Sequence, residues 1–210
     1  IMAVEANAKL HLDSVKQELG DEVLDSTYEK VFMGKNAGRV WVHAHHGVNN
    51  LEDIFSKLRY MIIGLDCRWM VVDHLHMFVL ATLESDERKA IDGIMHRLRT
   101  MVEETGCGMI LVSHLRRIDG NRGHENGIET GLNHLRGSQS IAQLSDCVIS
   151  LERNQQSEDE LEASTTKVRV LKSRYTGDVG VATQLMYDSE TGRLRELGEY
   201  DESQFERDII

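Results

Sequence analysis

The 210-residue sequence predicts an α/β protein: a mostly parallel sheet flanked by helices, ending in antiparallel hairpin strands. Three observations predict it. Two apolar runs, "RWMVVDHL" (68–75) and "GCGMILVSHL" (106–115), flank a long amphipathic stretch, which is the strand–helix–strand order of a right-handed parallel crossover. Both runs are continuous rather than alternating, which predicts strands buried on both faces. Downstream, "TTKVRVLKSR", "VATQLMYD" and "GRLREL" read as short strands, with "DSETG" and its Gly192 as the turn between the last two.

Taken in order, "ANAKLHLDSVKQEL" and "DEVLDSTYEKVF" space their apolar residues three and four apart and predict helices. "GRVWVHAHH" alternates and predicts a strand. In "NNLEDIFSKLRYMII", Asn50 caps a helix with Leu51, Ile54, Phe55, Leu58 and Ile62 on one face. The crossover helix starts near Ser85. Asp86 and Glu87 suit its positive end, and Ile91, Ile94, Met95, Leu98, Met101 and Val102 form its stripe. "SIAQLSDCVISLER" then supplies a short helix and another strand.

Composition narrows the function. With 40% hydrophobic and 28% charged residues the chain reads as an ordinary globular domain without an apolar run able to cross a bilayer. A net charge of −11 argues against a broadly basic nucleic-acid surface, but not against a narrow channel lined by a few arginines. Cys67, Cys107 and Cys147 stand singly, as reduced core thiols of a cytoplasmic protein do. Acidic residues gather at Glu158, Asp159, Glu160 and Glu162, read as a solvated loop, and in the tail from Glu196 to Asp208. There is no proline, and we have no physical account of that.

Several residues have the chemistry of a phosphate site. A buried strand ending on Asp73 fixes a carboxylate that can orient magnesium through water, the physical content of a Walker B motif. Both crossover strands deliver their polar ends, Asp73 and His114, to one carboxyl edge, where open α/β sheets bind ligands. Arg116, Arg117 and Arg122 follow in a Gly-rich segment, and Arg136, Gly137 and Ser138 precede a helix; both suit phosphodiester binding, although Asp119, Glu125 and Glu129 dilute the charge. Lys172 and Arg174, two apart, point to one face of a strand end as a cationic clamp. His43, His45 and His46 lack a carboxylate or thiol completing a ligand pattern and are read as strand-end histidines.

The colinear segments "VVDHL", "SDERKAID", "ILVSHLRR", "LRGSQSIAQLSD", "LERNQQ", "VLKSRYTGD" and "YDSETGRL" resemble the helicase half of phage replicative primase-helicases, a RecA-like motor related to DnaB and Twinkle. The resemblance covers about Leu51 to Leu197. It implies a ring hexamer that couples hydrolysis of ATP or another NTP or dNTP, with Mg2+, to 5′–3′ translocation on single-stranded DNA and duplex unwinding. By resemblance, Asp73 acts on magnesium and His114 and Gln143 sense the γ-phosphate. Arg174 is an arginine finger supported by Lys172, and Arg153 and Tyr187 sandwich the base. The loops carrying Arg116, Arg117, Arg122 and Arg136, Gly137, Ser138 track DNA. The acidic tail contacts a replicative DNA polymerase, in the cytoplasm of an infected host.

The sequence departs from that family at one point. No Gly-Lys-Ser or Gly-Lys-Thr occurs in it, and "MGKNAG" (33–38) follows helices and carries Asn36 where a magnesium-binding hydroxyl belongs. The family's catalytic glutamate is missing too. We therefore expect residues 1–197 to form a partial RecA-like domain with a disordered tail, 198–210, a fragment of a longer protein and inactive by itself. The alternatives are a recombinase-like RecA-fold ATPase and a non-catalytic DNA-binding or assembly module that has lost its nucleotide site.

Overall fold

The computed structural model describes residues 50–116, 123–124, 126–137, 139–188 and 193–197, with isolated positions between 20 and 43. Helix α1 (Leu51–Arg59) is capped as its sequence predicts, with Asn50 Oδ1 accepting from the Asp53 N–H at 2.9 Å, and it runs into a π-helical turn, Tyr60–Gly64. Strand β1 (Trp69–Val72) leads through a short helix α2 (His76–Leu80) into the long helix α3 (Glu87–Thr105) and back to strand β2 (Gly108–Leu111). Asp86 caps α3 by accepting from the N–H groups of Arg88 and Lys89, and Gly106, at φ 68°, ends it in the left-handed conformation that glycine adopts without a Cβ penalty.

β1 and β2 pair in parallel and in register, from Trp69 with Gly108 to Val72 with Leu111. After them come α4 (Gln139–Leu144), β3 (Cys147–Arg153), α5 (Glu160–Ser164), β4 (Thr165–Ser173), β5 (Gly180–Asp188) and β6 (Arg193–Glu196). The last four strands form an antiparallel sheet in the order β3-β4-β5-β6, as the hairpin pattern predicts. The core joins Ile54, Phe55, Leu58 and Ile62 to the stripe Ile91, Ile94, Met95, Leu98 and Met101, with Met70, Val72, Leu75 and Phe78 between them. Val102 is only half-buried.

Four expectations fail here. The crossover strands are not buried on both faces: Met70 and Val72 enter the core, whereas Trp69, Val71 and Ile110 are 70%, 67% and 52% exposed. A strand alternates its side chains between faces, and the described core helices pack on the Met70 and Val72 side. The same alternation places Cys147 on the exposed side of β3, so of the three free thiols only Cys107 is buried. The acidic segment is not simply loop, because Asp159 caps the helix α5. Residues 40–43 are not a strand. Positions 22–23 and 25–26 are helical as expected, whereas the first helix, His45, His46 and the tail beyond Leu197 lie outside the described residues; Glu196, read as the start of that tail, closes β6.

Loss of a single cap tests the crossover. Asp86→Ala should lower unfolding stability by about 1 kcal/mol, measured by urea denaturation, with an unchanged far-ultraviolet spectrum.

Candidate functional site

In-register pairing of β1 and β2 fixes the site. Beyond the last paired residues the two chains stay together: the Val112 N–H donates to the Val72 carbonyl, and the Leu75 N–H donates to the Val112 carbonyl at 2.9 Å. Asp73 directly follows β1 and is exposed. His114 lies three residues beyond β2 at the same carboxyl edge, its ring 4.2 Å from that of His74. The two residues expected to share one rim therefore do so.

His114 is also the root of both arginine loops. Its carbonyl accepts from the Arg136 N–H at 3.1 Å, the Arg116 N–H donates to the His134 carbonyl at 2.9 Å, and Leu115 pairs with Leu135 as an isolated antiparallel bridge. Arg116 is exposed, while the Arg136 guanidinium pairs with Glu87, its Nε 3.1 Å from Oε1. Gly137 has φ 107°, and a Cβ there would collide with Ile91 Cδ1, so glycine is needed for packing whatever else the loop does. Arg117, Arg122 and Ser138 lie outside the described residues.

Lys172 and Arg174 do reach one place, the C-terminal end of α4. Lys172 Nζ donates to the carbonyls of Ala142 (2.6 Å), Gln143 (3.2 Å) and Ser145 (2.7 Å), where a cation complements the helix dipole. Arg174 donates to the same Gln143 carbonyl at 3.0 Å and pairs with Asp146 at 3.0 Å. The Gln143 side chain itself is exposed. Elsewhere, Arg153 closes β3 and donates to the Ala163 carbonyl at 2.5 Å. Register puts Arg153, Thr166 and Leu185 in one row, so Tyr187, two residues past Leu185, shares the face and the end of the sheet with Arg153, with β4 between them.

A model of the DnaB-like helicase C-terminal domain matches residues 4–196. The chain belongs to that family. The DNA helicase/primase of Enterobacteria phage T3 is 37% identical over 185 residues, covering 87% of this chain and 31% of that protein, so the chain spans about a third of the relative's length. Among solved structures it is similar to one described as an ATPase domain, with a TM-score of 0.68 at 20% identity over 94% of this chain and 68% of that one. It is also similar to a DnaB-like replicative helicase described together with its interactions with primase, with a TM-score of 0.64 at 19% identity over 89% of this chain and 44% of that one. A KaiC-like protein of Pyrococcus horikoshii shares the fold at a TM-score of 0.53, 13% identity, 90% of this chain and 72% of that one. The fold of this DnaB-like domain is therefore RecA-like.

Sequence reading missed His74 and His76, which this DnaB-like domain gathers around His114. The visible signal was "DHLH", two histidines two apart after Asp73, but only the helix α2 shows that His76 turns inward. The His76 residue is 8% exposed, and burial, then the nearby Arg136 cation, push its imidazole below the ordinary value of 6.5. It also missed Glu152. That carboxylate is buried in the antiparallel sheet beside a cleft of about 270 Å³ that Arg153, Asp159, Glu162 and Lys167 also line. Burial alone would raise its pKa; the Thr130 N–H, Arg169 and Ser150 overcome that and hold it below the usual 4.5.

A lowered carboxylate pKa stabilises the fold at pH values above 4.5, and the contribution is lost as pH falls through the folded-state value. Glu152→Gln should therefore flatten the acid limb of the stability–pH curve below 4.5 relative to the parent. An unchanged acid limb in urea titrations would show that Glu152 does not carry it.

Proposed function

We propose that this DnaB-like domain is the motor portion of a replicative DNA helicase, working as a ring hexamer that couples NTP hydrolysis to 5′–3′ movement on single-stranded DNA and duplex unwinding. The observation that carries the reading is the common rim of Asp73 and His114, with the root of the Arg136 loop one hydrogen bond from His114 and that of the Arg116 loop beside it. In this scheme Asp73 holds Mg2+ through water beside the nucleotide phosphates. His114 and Gln143 report the γ-phosphate, and the His114–Arg136 backbone contact passes that signal to the loops of Arg116, Arg117, Arg122 and Arg136, Gly137, Ser138, which follow the DNA backbone. Arg153 and Tyr187 hold the base. The phage T3 relative's description as a DNA helicase/primase supports the replicative setting. A host cytoplasm as the site of action, and a replicative polymerase as partner of the 198–210 tail, belong to the same proposal.

Arg174 would serve as a finger for the nucleotide of a neighbouring subunit. Its tie to Asp146 and the Gln143 carbonyl sets it against the end of the helix that carries the Gln143 sensor. Each tie is partly exposed and worth at most about 1 kcal/mol, small beside a phosphoryl group bearing developing charge. In this reading the phosphate loop and catalytic glutamate are supplied by residues outside these 210, within which no Gly-Lys-Ser or Gly-Lys-Thr lies. That absence also favours a second reading, a DNA-binding or assembly module without catalysis.

Two measurements separate these readings. The 210-residue chain should show no Mg2+-dependent NTP turnover above background, and robust turnover would refute the split of parts proposed here. In the form of the protein that carries a phosphate loop, Arg174→Ala should cut DNA-stimulated hydrolysis by roughly 10³–10⁵ with nucleotide binding retained. Hydrolysis equal to the parent's would remove Arg174 from the mechanism, and no hydrolysis by the parent protein would favour the assembly module.

A further inference from the structure

The three imidazoles at the rim form a cluster of which the nucleotide reading uses only His114. His74, His76 and His114 come from the turn after β1, the first residue of α2 and the segment after β2, and each offers a ring nitrogen within 4.8 Å of the other two. Their ring centroids lie 4.2 to 5.9 Å apart. Among the described residues, His74 Nδ1 and both nitrogens of His76 are buried without a hydrogen-bond partner. An orphaned buried ring nitrogen costs roughly 1–3 kcal/mol, so packing alone does not account for a fold that keeps three of them in one cluster.

We propose that His74, His76 and His114 form a binding site for a divalent transition-metal ion of the zinc class. Three imidazole ligands suit Zn2+, Co2+, Ni2+ or Cu2+, whereas Mg2+ prefers oxygen ligands and would not compete. Four-coordinate zinc with bonds of about 2.0–2.1 Å needs ligand nitrogens about 3.4 Å apart, so the cluster must tighten from its present spread. His114 is the exposed member of the three and His76 the buried one. The Glu87 carboxylate lies 3.6 Å from His76 Nε2, just beyond hydrogen-bond distance, and a small approach would let it orient His76 to ligate through Nδ1. The nearby Arg136 cation is already paired with Glu87, which moderates its repulsion of a metal. Three histidine ligands leave a fourth position open toward the rim where Asp73 lies, for water or an anionic oxygen. The site stands on the three rings and does not depend on the helicase reading.

The test uses the untagged 210-residue chain, stripped with a chelator and titrated with Co2+ and Zn2+ alone. One equivalent of Co2+ should give the visible absorption of a four-coordinate site, and Zn2+ should displace it while a large excess of Mg2+ does not. His114→Ala, on the exposed rim and expected to fold normally, should weaken Zn2+ binding by more than the ~100-fold that loss of an outer-shell partner costs. His76→Ser should do the same, with circular dichroism confirming its fold. A combined His43→Ala, His45→Ala and His46→Ala variant should bind as the parent does. Absence of stoichiometric Co2+ binding, indifference to His114→Ala, or loss of binding only in the combined variant would each overturn the proposal.

Discussion

The in-register parallel pairing of β1 with β2 is the constraint from which the rest of the domain follows. Because Val72 sits opposite Leu111, the two chains leave the sheet at the same height and continue side by side through the Leu75–Val112 hydrogen bond. A one-residue slip would exchange the faces of every side chain on the slipped strand, sending Met70 and Val72 out of the core and moving Asp73 away from His114. Helix α3 enforces the register, since its buried stripe packs under both strands and its Asp86 and Gly106 ends fix where the chain enters and leaves. Apolar burial on one face of the sheet thus determines polar geometry at its edge.

From that edge a short chain of contacts runs through the molecule. His114 holds Arg136 by a backbone hydrogen bond, the bridge between Leu115 and Leu135 binds the two loop roots, and α4 follows directly. The far end of α4 is held by Lys172 and Arg174 from the antiparallel sheet. The joints near His114 are main-chain hydrogen bonds, whereas those at the far end of α4 are made by the Lys172 and Arg174 side chains. The rim, both loop roots and the second sheet are thus joined by contiguous contacts.

Electrostatics explains how a chain of net charge −11 can present cations to anionic ligands. Arg136 rests on Glu87, Arg174 on Asp146, and Arg169 is shared by Glu129 and the buried Glu152. The first two pairs are partly exposed and weak, whereas the Arg169–Glu152 pair joins a part-buried guanidinium to a buried carboxylate. Burial therefore separates the weakly paired arginines, Arg136 and Arg174, from Arg169, which is tied into the sheet.

Local pattern made much of this legible. Asn50 and Asp86 announced their helices, the stripe of α3 named Ile91, Ile94, Met95, Leu98 and Met101 and missed only Ala90 among its buried positions, and strand–helix–strand order put Asp73 and His114 on one rim. What sequence could not reveal was sidedness and depth. Continuous apolar runs hid the fact that Trp69, Val71 and Ile110 face away from the described core, because two faces of a strand look alike until a helix packs on one of them. The inward turn of His76, the burial of Glu152 and the seat of Lys172 on α4 all arise from residues distant in the chain. Sequence by itself determined the long helices, most of the strands and which family's motor they resemble, since capping and periodicity are short-range properties, but not the short helices α2 and α5. Only the tertiary structure decided which polar groups lose their water and which find a partner, because desolvation depends on neighbours that the chain brings together from far apart.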